Sequence, residues 1–178
     1  MTRTLVAPPN MEGAPLADLK AWLSITSRTD DEPLSRLLGA AAMLCEQFTG
    51  TVPLPATYEE RVAATAVRRS LVTRPVRRIL SIEEVAADNS RSDASGVTQT
   101  EVLADGTALI RATGPVSGVL VVTCEAGAAD GWRSLDAALA HGILRLAAHN
   151  YRRRDDGDDG AIPASVVALW RPHRRLRL

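Results

Sequence analysis

The chain has few aromatic side chains and almost no lysine. Aromatic residues make up 3% of the 178 residues, and Lys20 is the single lysine. The 21 basic and 21 acidic residues give zero formal net charge. Zero net charge argues against binding nucleic acid through bulk positive charge, and sparse aromatics do not support a base-stacking platform. Because arginine makes bidentate contacts to carboxylates, its dominance among the basic residues suits protein interfaces.

Cysteines and long apolar runs are also scarce. Cys45 and Cys124 lie far apart among apolar neighbours, which predicts two buried thiols in a reduced compartment rather than a disulfide framework. No stretch approaches the roughly 18 apolar residues of a membrane helix. The opening MTRTLVAPPN has no long apolar run, so we expect no signal peptide, no membrane partner and synthesis in the cytoplasm.

Motifs for catalysis or cofactor binding are missing as well. The sequence has no P-loop, no G-x-G-x-x-G after a strand and no G-x-S-x-G. His141 and His149 are eight residues apart in the sequence, too far to share a metal directly on one helix. The loop DDGDDG, residues 155–160, lacks the bidentate glutamate of a calcium loop. We therefore predict no enzyme, no metal and no cofactor, and interpret the loop as a flexible connection.

Helical periodicity marks four segments. Pro15 opens a short amphipathic helix over residues 15–24, and Thr29–Pro33 carries the capping and acidic residues that begin a second helix ending at Gly50. Ser134 is the expected cap of a third helix that runs to about Arg154. A short apolar helix then lies between Pro163 and Pro172.

The segment 51–130 has the pattern of a small antiparallel sheet. Strands are predicted over 76–85, 97–103, 107–112 and 118–125, whereas 58–70 is ambiguous between helix and strand and 87–96 is expected to be a mobile hairpin tip. The predicted fold class is α+β: a mainly helical core with an inserted small sheet and an extended C-terminal tail. The predicted organisation is an extended arm over 1–14 and a single domain over 15–178, with a β-rich insertion at 51–130, a flexible loop at 155–160 and a docking tail at 171–178.

Two arginine clusters have more than one interpretation. Residues 152–154 end the third helix, where cations complement the helix dipole and can pair with the following aspartates. The second cluster could instead face phosphate or a partner's carboxylates; it comprises Arg68, Arg69, Arg74, Arg77 and Arg78.

The C-terminal tail alternates in a period of two. Arg175 and Arg177 fall on one side and Leu176 and Leu178 on the other, as in a strand added to a partner's sheet edge. Trp170 is a candidate anchor for such docking. The alternative is a frayed basic terminus. The predicted partner-binding residues are Trp170, Arg171, His173, Arg174, Arg175, Leu176, Arg177 and Leu178.

Three stretches together resemble the head–tail connector, or adaptor, proteins of long-tailed phages and of phage-derived gene transfer agents. The first is PLADLKAWLSITSRTDDEPLSRLLGAAAMLCEQFTG (15–50), and the second is GVLVVTCEAGAADGWRSLDAALAHGILRLAAHNY (118–151). The third is the ending IPASVVALWRPHRRLRL (162–178), where His173 stands at a position that is often tyrosine in the family. The middle departs from the family, since TYEERVAATAVRRSL lacks tryptophan- and tyrosine-rich strands.

The resemblance implies a structural adaptor at the head–tail junction of a phage or phage-like particle. It implies a ring, usually of twelve copies, docked beneath the portal protein through the C-terminal segment. A head-closure or tail-completion protein would bind the opposite side, and DNA would pass through the channel without being read. The alternative is a small DNA-binding regulatory protein that uses the first two helices as a reader and the tail as a minor-groove arm.

Overall fold

A computed structural model describes residues 2–116, 118–153 and 161–175. These residues form four α-helices and eight β-strands in two antiparallel sheets. The chain divides into two compact units. A β-rich unit comprises Met1–Pro8 and Pro55–Ala128, and a helical unit comprises Pro9–Leu54 and Ala129–Leu178.

The β-rich unit contains all eight strands of the described chain. Their bounds are β1 Thr2–Ala7, β2 Ala56–Ala63, β3 Arg69–Ser70, β4 Val76–Val85, β5 Arg91–Asp93, β6 Thr98–Val102, β7 Ala108–Ala112 and β8 Val119–Ala126. The larger sheet has the order β1-β2-β8-β4-β5, and the smaller has the order β3-β7-β6.

Strand β8 is the centre of the larger sheet. It pairs along its whole length with β2, from Ala56 opposite Ala126 to Ala63 opposite Val119, and on its other side with β4. Its apolar run over residues 120–122 fits this position, because a central strand buries both faces. Leu120, Val121 and Val122 are accordingly almost inaccessible.

Strand β2 carries a buried carboxylate among its apolar positions. Tyr58, Glu60 and Val62 alternate with more exposed residues and share one face of the sheet. The Glu60 side chain is completely buried. It accepts hydrogen bonds from the backbone N–H groups of Val72, at 2.7 Å, and Thr73, at 3.0 Å. The Thr73 hydroxyl donates to it as well, so this carboxylate fixes the segment between β3 and β4.

The helical unit contains α1 Ala14–Leu23, α2 Asp31–Thr49, α3 Ala137–Arg152 and α4 Ala164–Trp170. Helix α2 begins with Asp31 and Glu32 in its first turn and ends at Gly50, whose φ of 73° is the left-handed conformation of a C-cap. Helix α3 begins after Asp136, whose carboxylate accepts from the N–H groups of Ala138 and Leu139.

The apolar stripes of the helices form the core of this unit. Its members from α1 and α2 are spaced three and four residues apart, as expected for amphipathic helices. The fully buried members of the core are Leu19, Leu34, Leu38, Ala41, Cys45, Ile143, Ala147 and Trp170.

The predicted fold class is wrong. The sequence pattern predicts a mainly helical core with a small inserted sheet, whereas the described chain has two antiparallel sheets of five and three strands. The sheet content was underestimated because β1 and β2 were not recognised. Alanine and glutamate favour helix over 58–70, but Ala56–Ala63 forms a strand that pairs with the central strand β8. Its buried and more exposed residues alternate, as expected for a strand.

Several local boundaries also differ. The N-terminal arm is extended, and Thr2–Ala7 pairs with β2 at the edge of the sheet. Ser134 closes a 3-10 turn over Trp132–Ser134 instead of capping α3, which is the role of Asp136. Residues expected only to form a hairpin tip include strand β5, which pairs with the end of β4. Gly50 ends α2 as predicted.

Candidate partner-binding segment

Helix α4 places the predicted docking residues against the helical unit. Pro163 precedes its first turn, and Val166 and Trp170 are its buried residues. These two positions are four apart and lie on one face of the helix. Arg171–His173 continue the chain as a 3-10 turn, so the segment leaves α4 in a defined direction.

Trp170 belongs to the core. Its side chain is 0% exposed, and its Nε1 lies 3.4 Å from the carbonyl oxygen of Leu139 on α3. The Phe48 ring of α2 is 6.1 Å away between centroids. The indole is therefore not available to a partner in this structure, and Trp170 positions the residues that follow it.

His173 lies at the beginning of α3. Its Nε2 is 3.3 Å from the Oδ1 atom of Asp136, the carboxylate that caps α3. The ion pair requires a protonated imidazole. His173 is half-buried by this contact, so it also serves to hold the segment.

Arg174 and Arg175 lie over the end of α2. The Arg174 guanidinium is 5.7 Å from the centroid of the Phe48 ring, within the range of a cation–π contact. The backbone N–H of Arg175 donates to the Thr49 carbonyl at 2.9 Å, satisfying an acceptor at the helix end. The segment is thus attached to its own unit as far as Arg175.

The exposed charged side chains of residues 171–175 are those of Arg171, Arg174 and Arg175. They present positive charge to solvent while the backbone is held. Leu176, Arg177 and Leu178 lie outside the described residues, as does the loop Asp155–Gly160. The alternating Arg/Leu pattern is therefore represented here only by Arg175.

Neither thiol is a reactive nucleophile in this structure. Cys45 and Cys124 are free and buried, as predicted. Burial, with a smaller contribution from Glu46, raises the pKa of the Cys45 thiol to about 12. Burial, followed by the charge of Glu60, raises the pKa of Cys124 to about 11. Both remain protonated near neutral pH, and only a thiolate attacks or binds metal.

Two arginines of the second cluster make ion pairs within the β-rich unit. Arg68 contacts Glu101 at 3.2 Å, and the Nε atom of Arg78 donates to Glu125 at 2.7 Å. Arg68 and Arg78 therefore already pair with carboxylates of the β-rich unit. Arg152 and Arg153 end α3 as expected.

No group of three or more potential metal ligands occurs within residues 2–116, 118–153 and 161–175. His141 instead packs edge-on against Trp22, with ring centroids 5.2 Å apart. In the same ranges, none of the helices is both long and apolar enough to span a bilayer.

Sequence reasoning missed the residues that hold the segment in place. Phe48, Thr49 and Asp136 contact residues 170–175, yet each also fits an ordinary helix end. Gly142 alone carried a signal, because a glycine inside a helix is costly unless something packs against it. A Cβ on Gly142 would lie 2.1 Å from the Nε1 atom of Trp170.

Comparison with solved structures gives full-length similarity to chains of gene transfer agent particles. The chain matches one from the neck of an empty particle, computed with C6 symmetry, at TM-score 0.78 and 23% identity. It matches chains from a native gene transfer agent virion and from a native particle neck computed with C12 symmetry, each at TM-score 0.72 and 25% identity. In all three cases, 100% of this chain and 97% of the other are covered. No protein-family model matches the sequence, and no curated protein matches it.

Proposed function

We propose that this protein is a structural component of the neck of a gene transfer agent or related phage-like particle, at the head–tail junction. The observation that carries the proposal is the similarity to native neck and virion chains at 25% identity, which spans both chains almost completely. A match of this extent includes both compact units and the C-terminal segment, so it is not limited to a common small motif.

Within the neck, the protein acts as an adaptor ring between the portal and the next tail-completion protein. The C12 symmetry applied to one similar neck supports a ring of twelve. Contacts that are weak for one copy become strong on a symmetric platform, because each further contact is effectively intramolecular. Zero net charge suits a channel that DNA passes through without strong retention.

The C-terminal segment docks on the portal. Arg171, Arg174 and Arg175 offer exposed guanidinium groups for a partner's carboxylates, and residues 176–178 extend the basic and apolar pattern. Trp170 and His173 contribute by anchoring this segment to α3 rather than by direct contact. No contact within the described residues favours the DNA-binding regulator.

Deleting the gene tests the neck assignment. We expect DNA-filled heads and free tails that fail to join, visible by electron microscopy, and restored particles when the intact gene is supplied. Antibody labelling of an epitope-tagged copy should mark the head–tail junction. Normal joined particles without the protein would contradict the proposal.

Charge reversal tests the docking segment separately. Arg174→Glu with Arg175→Glu should abolish co-purification with portal-bearing heads. The matched variant Arg28→Glu with Arg36→Glu reverses two exposed arginines elsewhere in the same unit and should bind normally. Undiminished binding of the C-terminal variant would contradict portal docking while leaving the neck assignment intact. A gel-shift assay with duplex DNA addresses the regulator, which requires steep salt-dependent binding.

A further inference from the structure

A basic groove lies on the helical unit, and residues 171–175 do not line it. It has a volume of about 300 Å³ and is lined by side chains of α1, α3 and α4. The lining residues that matter are Trp22, Arg145, His149, Arg152, Pro163 and Val166. No carboxylate lines it within the described chain. The groove therefore combines positive charge with an apolar interior.

The charged wall comes from one face of α3. Arg145 and Arg152 supply the charge; they lie on one face, with His149 between them at spacings of four and three residues. Neither Arg145 nor Arg152 has an ion pair or side-chain hydrogen bond to another described residue. The helix dipole accounts for a cation in the last turn but not for Arg145, which lies in the middle of α3.

The lining from α1 and α4 is mainly apolar, apart from Ser165, and includes an exposed aromatic ring. Trp22 is 43% exposed although it is a large apolar side chain, and His141 fixes its ring by an edge-on contact. Val166 is buried at the floor of the groove. A rigid, partly exposed tryptophan next to a small apolar recess is typical of a protein-binding hot spot.

We propose that this groove binds a short acidic segment of a partner protein. One apolar side chain of the segment packs against Trp22 and Val166, and its carboxylates pair with Arg145 and Arg152. A duplex presents phosphates on a convex surface and has no side chain to fill the recess, so the geometry favours a peptide over nucleic acid. The inference does not depend on the neck assignment.

Fluorescence anisotropy with the full-length protein tests the groove. The probe is a fluorescein-labelled peptide EDELDE; one control replaces leucine with serine (EDESDE) and another replaces the acids with amides (QNQLNQ). We expect EDELDE to bind at least about tenfold more tightly than either control. Absence of binding at about 1 mM peptide would overturn the proposal.

Variants then locate the binding site. Arg145→Glu with Arg152→Glu should weaken EDELDE binding at least about tenfold, whereas Arg28→Glu with Arg36→Glu, which do not line the groove, should change it less than about twofold. Trp22→Ala should remove the preference for leucine over serine while circular dichroism shows an intact fold. The proposed site would be wrong if both arginine double variants lost the same affinity for EDELDE, or if Trp22→Ala still preferred leucine over serine.

Two further measurements separate other occupants. The first is competition with a short DNA duplex. The groove would be assigned to nucleic acid if the duplex displaced the peptide at a lower concentration than unlabelled EDELDE does, and if it no longer bound the Arg145/Arg152 variant. Replacement of Asp155, Asp156, Asp158 and Asp159 by asparagine should leave peptide affinity unchanged. A tenfold gain in that variant would show that the chain's own acidic residues occupy the groove, and would overturn the partner assignment.

Discussion

The indole of Trp170 occupies the space in which a side chain on Gly142 would begin. A Cβ at Gly142 would lie 2.1 Å from Nε1 and 2.8 Å from the neighbouring ring carbons. Such distances are well inside van der Waals contact, so helices α3 and α4 approach as closely as they do only because residue 142 is glycine. This pair sets the position of the C-terminal segment.

Gly142→Ala should therefore destabilise the protein. Alanine gains about 1 kcal/mol of helix propensity, but the clash with a buried indole should cost more, leaving a net loss of roughly 2 kcal/mol. Urea denaturation followed by circular dichroism measures the change. Gly39→Ala on α2 is the matched control: a Cβ there meets nothing within 4 Å, so it should stabilise by up to about 1 kcal/mol. Stabilisation by both substitutions would contradict the close-contact explanation.

The candidate site was only partly predictable from the sequence. Periodicity located α4, and the sparse aromatics made Trp170 conspicuous, but a tryptophan that anchors a core and one that anchors a partner look alike in sequence. The difference depends on Gly142 and Phe48, which are 28 and 122 residues away in the chain. Contacts over such separations leave no local pattern.

Glu60→Ala should be among the most destabilising substitutions in the β-rich unit. It removes the acceptor for the N–H groups of Val72 and Thr73 and for the Thr73 hydroxyl. Leaving these buried donors unsatisfied should cost about 3 kcal/mol. Chemical denaturation would measure the loss. Glu59→Ala, on the opposite face of the same strand, should cost much less.

Thr73→Val separates the hydroxyl bond from the two backbone bonds. It retains the shape of the side chain and removes one donor to Glu60, so we expect a loss of about 1 kcal/mol. If Glu60→Ala lowered the free energy of unfolding no more than Thr73→Val does, the backbone N–H groups of Val72 and Thr73 would have found other acceptors.

The same carboxylate shows why the fold class was misjudged. A glutamate pair at 59 and 60 favours helix or an exposed strand when only composition and propensity are considered. Burial of Glu60 is tolerated because the segment between β3 and β4 supplies donors. The helices of the other unit were predictable because their spaced apolar residues and flanking proline and glycine are local in the sequence, whereas β1 and β2 depend on pairing with distant strands.

Stability of the β-rich unit should depend on pH through Arg91 and Glu59. The guanidinium donates to Glu59 at 2.9 Å, and this hydrogen bond holds the pKa of the Glu59 carboxyl below its ordinary value of 4.5. A pKa lower in the folded state gives stability that is present above the unfolded pKa and lost as pH falls through the folded pKa. The stability difference between wild type and Arg91→Ala should therefore shrink as the solution is acidified.

Urea denaturation from neutral pH to about pH 3 would measure that difference. Arg111→Ala is the matched control, because Arg111 donates to the uncharged amide oxygen of Gln99 and should show a pH-independent difference. The Arg91–Glu59 pair would be refuted if the stability difference between wild type and Arg91→Ala stayed constant or grew on acidification.

Truncation distinguishes anchoring of the C-terminal segment from docking. A chain ending at Trp170 loses the Arg175–Thr49 hydrogen bond, the His173–Asp136 pair and the Arg174–Phe48 contact, so it should unfold about 1–3 kcal/mol more easily. A chain ending at Arg175 keeps all three and should match wild type in a thermal melt.

The shorter deletion is therefore the informative one for assembly. If residues 176–178 dock on the portal, their removal should prevent head–tail joining in a protein of unchanged stability. Failure to join only with the longer deletion would attribute the defect to loss of the anchored residues 171–175. Equal stability of the two truncated chains would show that the contacts of residues 171–175 with α2 and α3 add no measurable stability. The position of these residues would then follow from the packing of α4 alone.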